Sequence, residues 1–196
     1  MKPPALSICV YCGSRHGVRS AYTAMARALG TAIGARGWQL VYGGGRVGLM
    51  CEVADATLAA GGRVVGVIPE SLERLEVGHQ GLHELHVVPT MHARKQMMAE
   101  RADCFIALPG GIGTLEELYE VWTWRQLGYH RQPIGLLNVE GYYDSLLGFM
   151  HHTVAEGFLS TSQHQVLQVG TDPGVMLNHL AAQARPLDLT EDFSKV

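Results

Sequence analysis

Two glycine-rich runs hold the residues with the most chemical content. Gly43-Gly44-Gly45-Arg46-Val47-Gly48 fits the pattern GxGxxG, and Pro109-Gly110-Gly111-Ile112-Gly113-Thr114-Leu115-Glu116-Glu117 repeats its logic further along. Glycines let the main chain approach a phosphate, and the helix that follows offers free N–H groups and partial positive charge. Gly44, Gly45, Gly110, Gly111 and Gly113 are therefore candidate phosphate contacts. Glu117 has two readings. Thr114 and Glu117 fit a capping box, each side chain satisfying the other's main-chain N–H. Alternatively, the carboxylate beside a phosphate-binding helix end touches the ribose of a nucleotide. Neither run reads GxxxxGK[ST], so a P-loop ATPase is not expected. Glu70, 22 positions after Gly48, falls where a dinucleotide fingerprint places its acid. That feature alone supports an NAD-dependent oxidoreductase, but no Tyr-x-x-x-Lys pair accompanies it.

The other reactive side chains carry less. Cys9-Val10-Tyr11-Cys12 lies in an expected strand, where residues three apart point to opposite faces. No second CxxC completes a tetrahedral site. His83-x-x-His86 has helical spacing in a stretch without a helical pattern. We therefore expect neither a metal nor a cofactor. Lys95 neighbours Arg94, whose plain reading is a surface arginine paired with an acid such as Glu100.

Composition narrows the class. The chain has 196 residues, 24 of them glycine, with 17% charged, 47% hydrophobic and a formal net charge of −3. Such a chain is too apolar for disorder and too acidic for a duplex nucleic-acid binder. No segment has the ~20 consecutive apolar residues of a membrane span, and the opening residues do not read as a secretory signal. The expected location is the cytoplasm, with no membrane partner.

These residues need elements to hold them. Apolar strands are expected at 6–11, 39–42, 63–68, 86–88, 103–108, 134–137 and 166–169. Helices are expected at 20–36, 49–60, 91–102, 114–127, 142–156 and 173–184. Residues 69–85 read as an irregular lid or substrate loop, and 185–196 as a loose tail after one domain at 1–184. Strand–helix alternation with continuous apolar strands gives an α/β fold: a doubly wound, Rossmann-like parallel sheet with helices on both faces. Ligands bind such sheets beyond the carboxyl ends of the strands, where both glycine runs fall. Tyr119, Trp122, Trp124 and Leu127 crowd the 114–127 helix, as core or as a subunit interface.

At Pro109-Gly110-Gly111-x-Gly113-Thr114-x-x-Glu117 the sequence resembles the Lonely Guy family, whose hallmark is PGGxGTxxE. The resemblance extends through Cys12-Gly13-Ser14, Tyr42-Gly43-Gly44-Gly45-x-x-Gly48-Leu49-Met50 and Met91-His92-x-Arg94-Lys95. It continues through Thr123-Trp124-x-Gln126-Leu127-Gly128 and Gly135-Leu136-Leu137-Asn138-x-x-Gly141-Tyr142-Tyr143. It implies a cytokinin riboside 5′-monophosphate phosphoribohydrolase, a family often mislabelled as lysine decarboxylases. The implied reaction splits the N-glycosidic bond of an N6-modified adenosine 5′-monophosphate, or of AMP, into free base and ribose 5-phosphate. The implied catalytic pair is Arg94 and Glu117. The implied substrate contacts are Ser14, Glu76, Lys95, Thr114 and Thr123 together with the loop glycines. The resemblance also implies a homodimer through the 114–127 helix. Ile112 stands where plant members commonly have tyrosine, and Cys51 where glycine is usual. A non-catalytic nucleotide or molybdenum-cofactor carrier of related fold is the alternative.

Overall fold

The computed structural model describes residues 5–76 and 78–184, with main chain alone at 74–76. The first half of the chain runs β1 Ser7–Tyr11, α1 Ser20–Ala35, β2 Gln39–Tyr42, α2 Gly48–Ala59, β3 Arg63–Pro69, α3 Glu70–Glu76, β4 Glu84–Val88 and α4 Met91–Glu100. The second half runs β5 Cys104–Ala107, α5 Ile112–Gln126, β6 Ile134–Leu137, α6 Asp144–Ala155, α7 Thr161–His164, β7 Leu167–Gly170 and α8 Pro173–Gln183. A 3-10 turn, Val139–Gly141, precedes α6. All strands pair in parallel, in the order β4-β3-β2-β1-β5-β6-β7. The expected doubly wound α/β sheet is therefore present, and its strand order reverses between β1 and β5.

The pleat sorts β1 between two cores. Ile8, Val10 and Cys12 pack with Leu29, Ile33, Val53 and Leu177 of α1, α2 and α8. Cys9 and Tyr11 pack on the opposite face with Met98, Leu118, Trp122 and Met150 of α4, α5 and α6. Cys9 and Cys12 thus lie on opposite sides of the sheet, as alternation requires. The 185–196 tail lies outside the described residues.

Two expectations need correction, and one open alternative is decided. Residues 69–85 are not wholly irregular: α3 fills 70–76 directly after β3, and β4 begins at Glu84. α5 begins at Ile112 rather than 114, so Gly113 belongs to its first turn. Trp122 and Trp124, 4% and 8% exposed, are core, and the Trp122 indole N–H donates to the Gln163 carbonyl at 3.0 Å. Neither tryptophan is available to another subunit.

Candidate active site

The cleft lies where the strand order reverses, beyond the carboxyl ends of β1 and β5. It holds about 520 Å³, within the ~300–1,000 Å³ range of small-molecule sites. Gly13 ties its two sides. Its N–H donates to the Pro109 carbonyl at 3.0 Å, and its carbonyl accepts from Leu49 N at 3.0 Å. The turn after β1 is thereby fastened both to the second glycine loop and to the start of α2.

α4 supplies the cation. Its start is fixed by Thr90, whose side chain accepts from Ala93 N at 3.1 Å. Successive helical residues are ~100° apart, so Arg94 and Lys95 face different neighbours. Arg94 Nη1 donates to Glu117 Oε1 at 2.6 Å, and Arg94 Nε donates to the Val67 carbonyl at 3.1 Å. Both side chains are 9% exposed, and both line the cleft. Burial raises the Glu117 carboxyl above its ordinary range, and the charge and hydrogen bond of Arg94 oppose that rise. A Cβ on Gly43 would overlap Arg94 Nη2, so the arginine needs a glycine at the end of β2.

The capping-box reading of Glu117 is overturned. The N-cap of α5 is Gly111, with no side-chain cap, and Thr114 lies inside the helix. Glu117 is committed to Arg94. Open space surrounds Gly111 and Gly113, and the uncapped first turn of α5 faces the cleft beside Gly110, Ile112 and Thr114.

The first glycine loop is different. Gly44 accepts at its carbonyl from His79 N at 3.2 Å, and Gly45 forms an isolated antiparallel bridge with Gly78. Both are buried, and neither lines the cleft, whereas Gly43 does. The start of α2 is covered by the Ser14–Arg15 main chain, which leaves no room for a side chain on Gly48. GxGxxG here is chiefly a tight strand–helix turn that accommodates Arg94.

The remaining candidates divide. Ser14 is exposed and lines the cleft. Lys95 does not line it: its ammonium donates to Glu116 and, at 2.9 Å, to Glu120. Burial works against that charge, but the two carboxylates hold the Lys95 pKa above its usual value. Thr123 is exposed on α5 and stands outside the cleft lining. Glu76 ends α3, and its side chain lies outside the described residues. Glu70 is exposed at the start of α3 and is not among the residues that line the cleft.

Of the histidines, His83 Nδ1 accepts from Val64 N at 3.2 Å and His86 meets Glu84 at 2.7 Å. Cys51, Asp55 and His79 come within 4.8 Å of one another. Asp55 takes up both neighbours, from Cys51 at 3.2 Å and His79 Nε2 at 2.9 Å. His79 Nδ1 accepts from Gly81 N at 3.2 Å, so Nε2 carries the ring proton and has no lone pair for a metal.

The cleft is lined by further residues that the sequence reading did not name as substrate contacts. Arg15 brings positive charge and His16 an imidazole, while Leu72, Met50 and Met91 bring apolar surface, and Tyr22 and Tyr142 add aromatic rings. Tyr142 could have been found in the Gly141-Tyr142-Tyr143 run. Arg15, in a loop without periodicity, carries no such signal.

A family model described as "Possible lysine decarboxylase" matches residues 50–180. A cytokinin riboside 5′-monophosphate phosphoribohydrolase of Arabidopsis thaliana is 51% identical over 160 residues, 82% of this chain and 74% of that protein. The chain belongs to the Lonely Guy family. A bacterial relative in Rhodococcoides fascians, also a cytokinin riboside 5′-monophosphate phosphoribohydrolase, is 51% identical over 160 residues, 81% of each chain. Among solved structures, the molybdenum cofactor binding protein of Rippkaea orientalis superposes with a TM-score of 0.69 over 93% of this chain and 98% of that one. At 21% identity it shares the fold. In this Lonely Guy member the matched span contains Arg94, Glu117 and the second glycine loop, while Gly13 and the first loop precede it.

Proposed function

We propose that the chain hydrolyses the N-glycosidic bond of N6-modified adenosine 5′-monophosphates, and of AMP, to free base and ribose 5-phosphate. The observation that carries this reading is the buried Arg94–Glu117 pair at 2.6 Å beside the uncapped start of α5, in a chain about half identical to phosphoribohydrolases. The 5′-phosphate sits against the N–H groups of Gly110, Gly111 and Gly113, with Ser14 and Thr114 near. Remote phosphate binding energy then positions the reacting end. As the bond from the ribose carbon to the purine nitrogen breaks, its electron pair leaves with the base and the ribose gains oxocarbenium-like charge. Glu117, ionised, stabilises that charge and orients the water that adds to the carbon. The water's proton balances the departing base. Arg94 keeps Glu117 ionised against its burial and stabilises negative charge as it develops. Lys95 acts here through Glu116 and Glu120; Glu76 and Thr123 are proposed as outer contacts.

Lysine decarboxylation by a pyridoxal Schiff base does not fit. Lys95 is the one lysine among the described residues; it does not line the cleft, and its nitrogen is held by the carboxylates of Glu116 and Glu120. We further propose residues 1–184 as one domain, a homodimer through the α5 region, and a cytoplasmic location. Exposed Leu127, at 60%, supports the second. Free Cys9, Cys12, Cys51 and Cys104 suit a reducing compartment and support the third. No helix among the described residues is long and apolar enough to cross a membrane. Incubation with AMP and with isopentenyl-AMP, followed by chromatography of free base, tests the reaction. Base release is expected, and none from either substrate removes the proposal.

A further inference from the structure

We infer that Tyr142 is a positioning residue that orients the phosphate-binding N–H of Gly111, an inference that rests on the phosphate site proposed above. Three successive carbonyls leaving β5 each have a donor. Leu108 O accepts from the Tyr143 hydroxyl at 2.7 Å, Pro109 O from Gly13 N at 3.0 Å and Gly110 O from the Tyr142 hydroxyl at 2.6 Å. The described peptide bonds are all trans, and a trans peptide points its C=O and the following N–H in opposite directions. Fixing the Gly110 carbonyl therefore fixes the Gly111 N–H. The Tyr143 bond orients no N–H, because residue 109 is proline.

Tyr143 is 2% exposed and belongs to the core, whereas Tyr142 is 42% exposed and lines the cleft. An exposed hydroxyl on an accessible carbonyl adds little stability, because water replaces either partner. What it adds is direction. The turn that delivers Tyr142 is sharply bent. Glu140 has φ 48° and Gly141 φ 72°, unusual backbone for the glutamate, and Arg19 holds Glu140 at 3.0 Å. The ring is set edge-on to Tyr22 at 5.5 Å and Tyr143 at 4.8 Å. Tyr142→Phe keeps those packing contacts and removes only the hydroxyl.

The test compares wild type and Tyr142→Phe as full-length proteins. Calorimetric titrations with ribose 5-phosphate and with adenosine are run beside AMP kinetics and thermal unfolding. Ribose 5-phosphate binding is expected to weaken about three- to tenfold, the equivalent of one hydrogen bond. KM for AMP rises with it, while kcat, adenosine affinity and the unfolding midpoint stay near wild type. Unchanged ribose 5-phosphate affinity overturns the inference. So does equal weakening of both ligands, which marks a merely structural role, and so does a wild type that binds no ribose 5-phosphate. A Tyr142-dependent ribose 5-phosphate affinity in a protein that releases no base from AMP removes the reaction and leaves this inference standing.

Discussion

Glu117 is held between two opposed effects. Burial favours the neutral acid, and the guanidinium 2.6 Å away favours the carboxylate. The net rise sets the sign of a pH effect. Turnover needs the ionised form, so kcat/KM falls on the acid side at a higher pH than the ~4.3 of an ordinary glutamate. A pH–rate profile in which this limb is present in wild type and absent from the residual activity of Glu117→Gln checks it. Glu117→Gln keeps an oxygen for Arg94 but loses the charge, so turnover is expected to drop by ~10²- to 10⁴-fold while circular dichroism stays unchanged. Gly43→Ala moves Arg94 off Glu117 and is expected to lower turnover with the fold retained, as circular dichroism beside the base-release assay will read. At this scale the sequence was only half legible. Spacing alone fits Glu117 equally to Thr114, and the decision comes from Arg94, on a different helix. The same limit applies to Lys95. Its adjacency to Arg94 is visible in the sequence, but its turn toward Glu116 and Glu120 is not.

The elements were read more readily, because their signal is local. The runs at 39–42 and 134–137 coincide with β2 and β6. Their continuous apolar residues are what a strand buried on both faces requires. α3 was missed because seven residues, ESLERLE, make barely two turns, too few for an apolar period to show. α5 begins early because its first turn needs no helix-forming side chains. A glycine N-cap, together with Gly113 in that turn, leaves the N–H groups open to a ligand. α1 and α2 illustrate an element-level contact that composition hides. A Cβ on Gly30 would overlap the Val53 carbonyl and approach Ala56 Cβ at 2.9 Å. Gly30→Ala should therefore cost ~1–3 kcal/mol through overpacking, lowering the unfolding midpoint by several degrees in a thermal melt.

The whole molecule places these pieces by topology. The chain builds outward from β1 to β4, then crosses to β5, and the reversal opens the crevice where Arg94, Glu117 and the second loop converge. The place of the second loop at that crevice was legible from strand–helix alternation, whereas the approach of Arg94 to Glu117 came only from the family resemblance. The assignment of Trp122 and Trp124 was not legible, since an apolar helix face reads alike whether it meets its own sheet or another subunit. A dimer must therefore use other residues of that region. Light scattering at micromolar concentration is expected to return twice the chain mass, with Leu127→Asp shifting it toward monomer. A wild-type monomer would remove that interface. The central claim is the reaction at Glu117, and the most direct measurement is product release from AMP and isopentenyl-AMP by wild type beside folded Glu117→Gln. The account predicts equal amounts of free base and ribose 5-phosphate from wild type and almost none from the variant. No base from wild type, or an undiminished rate in Glu117→Gln, would contradict it.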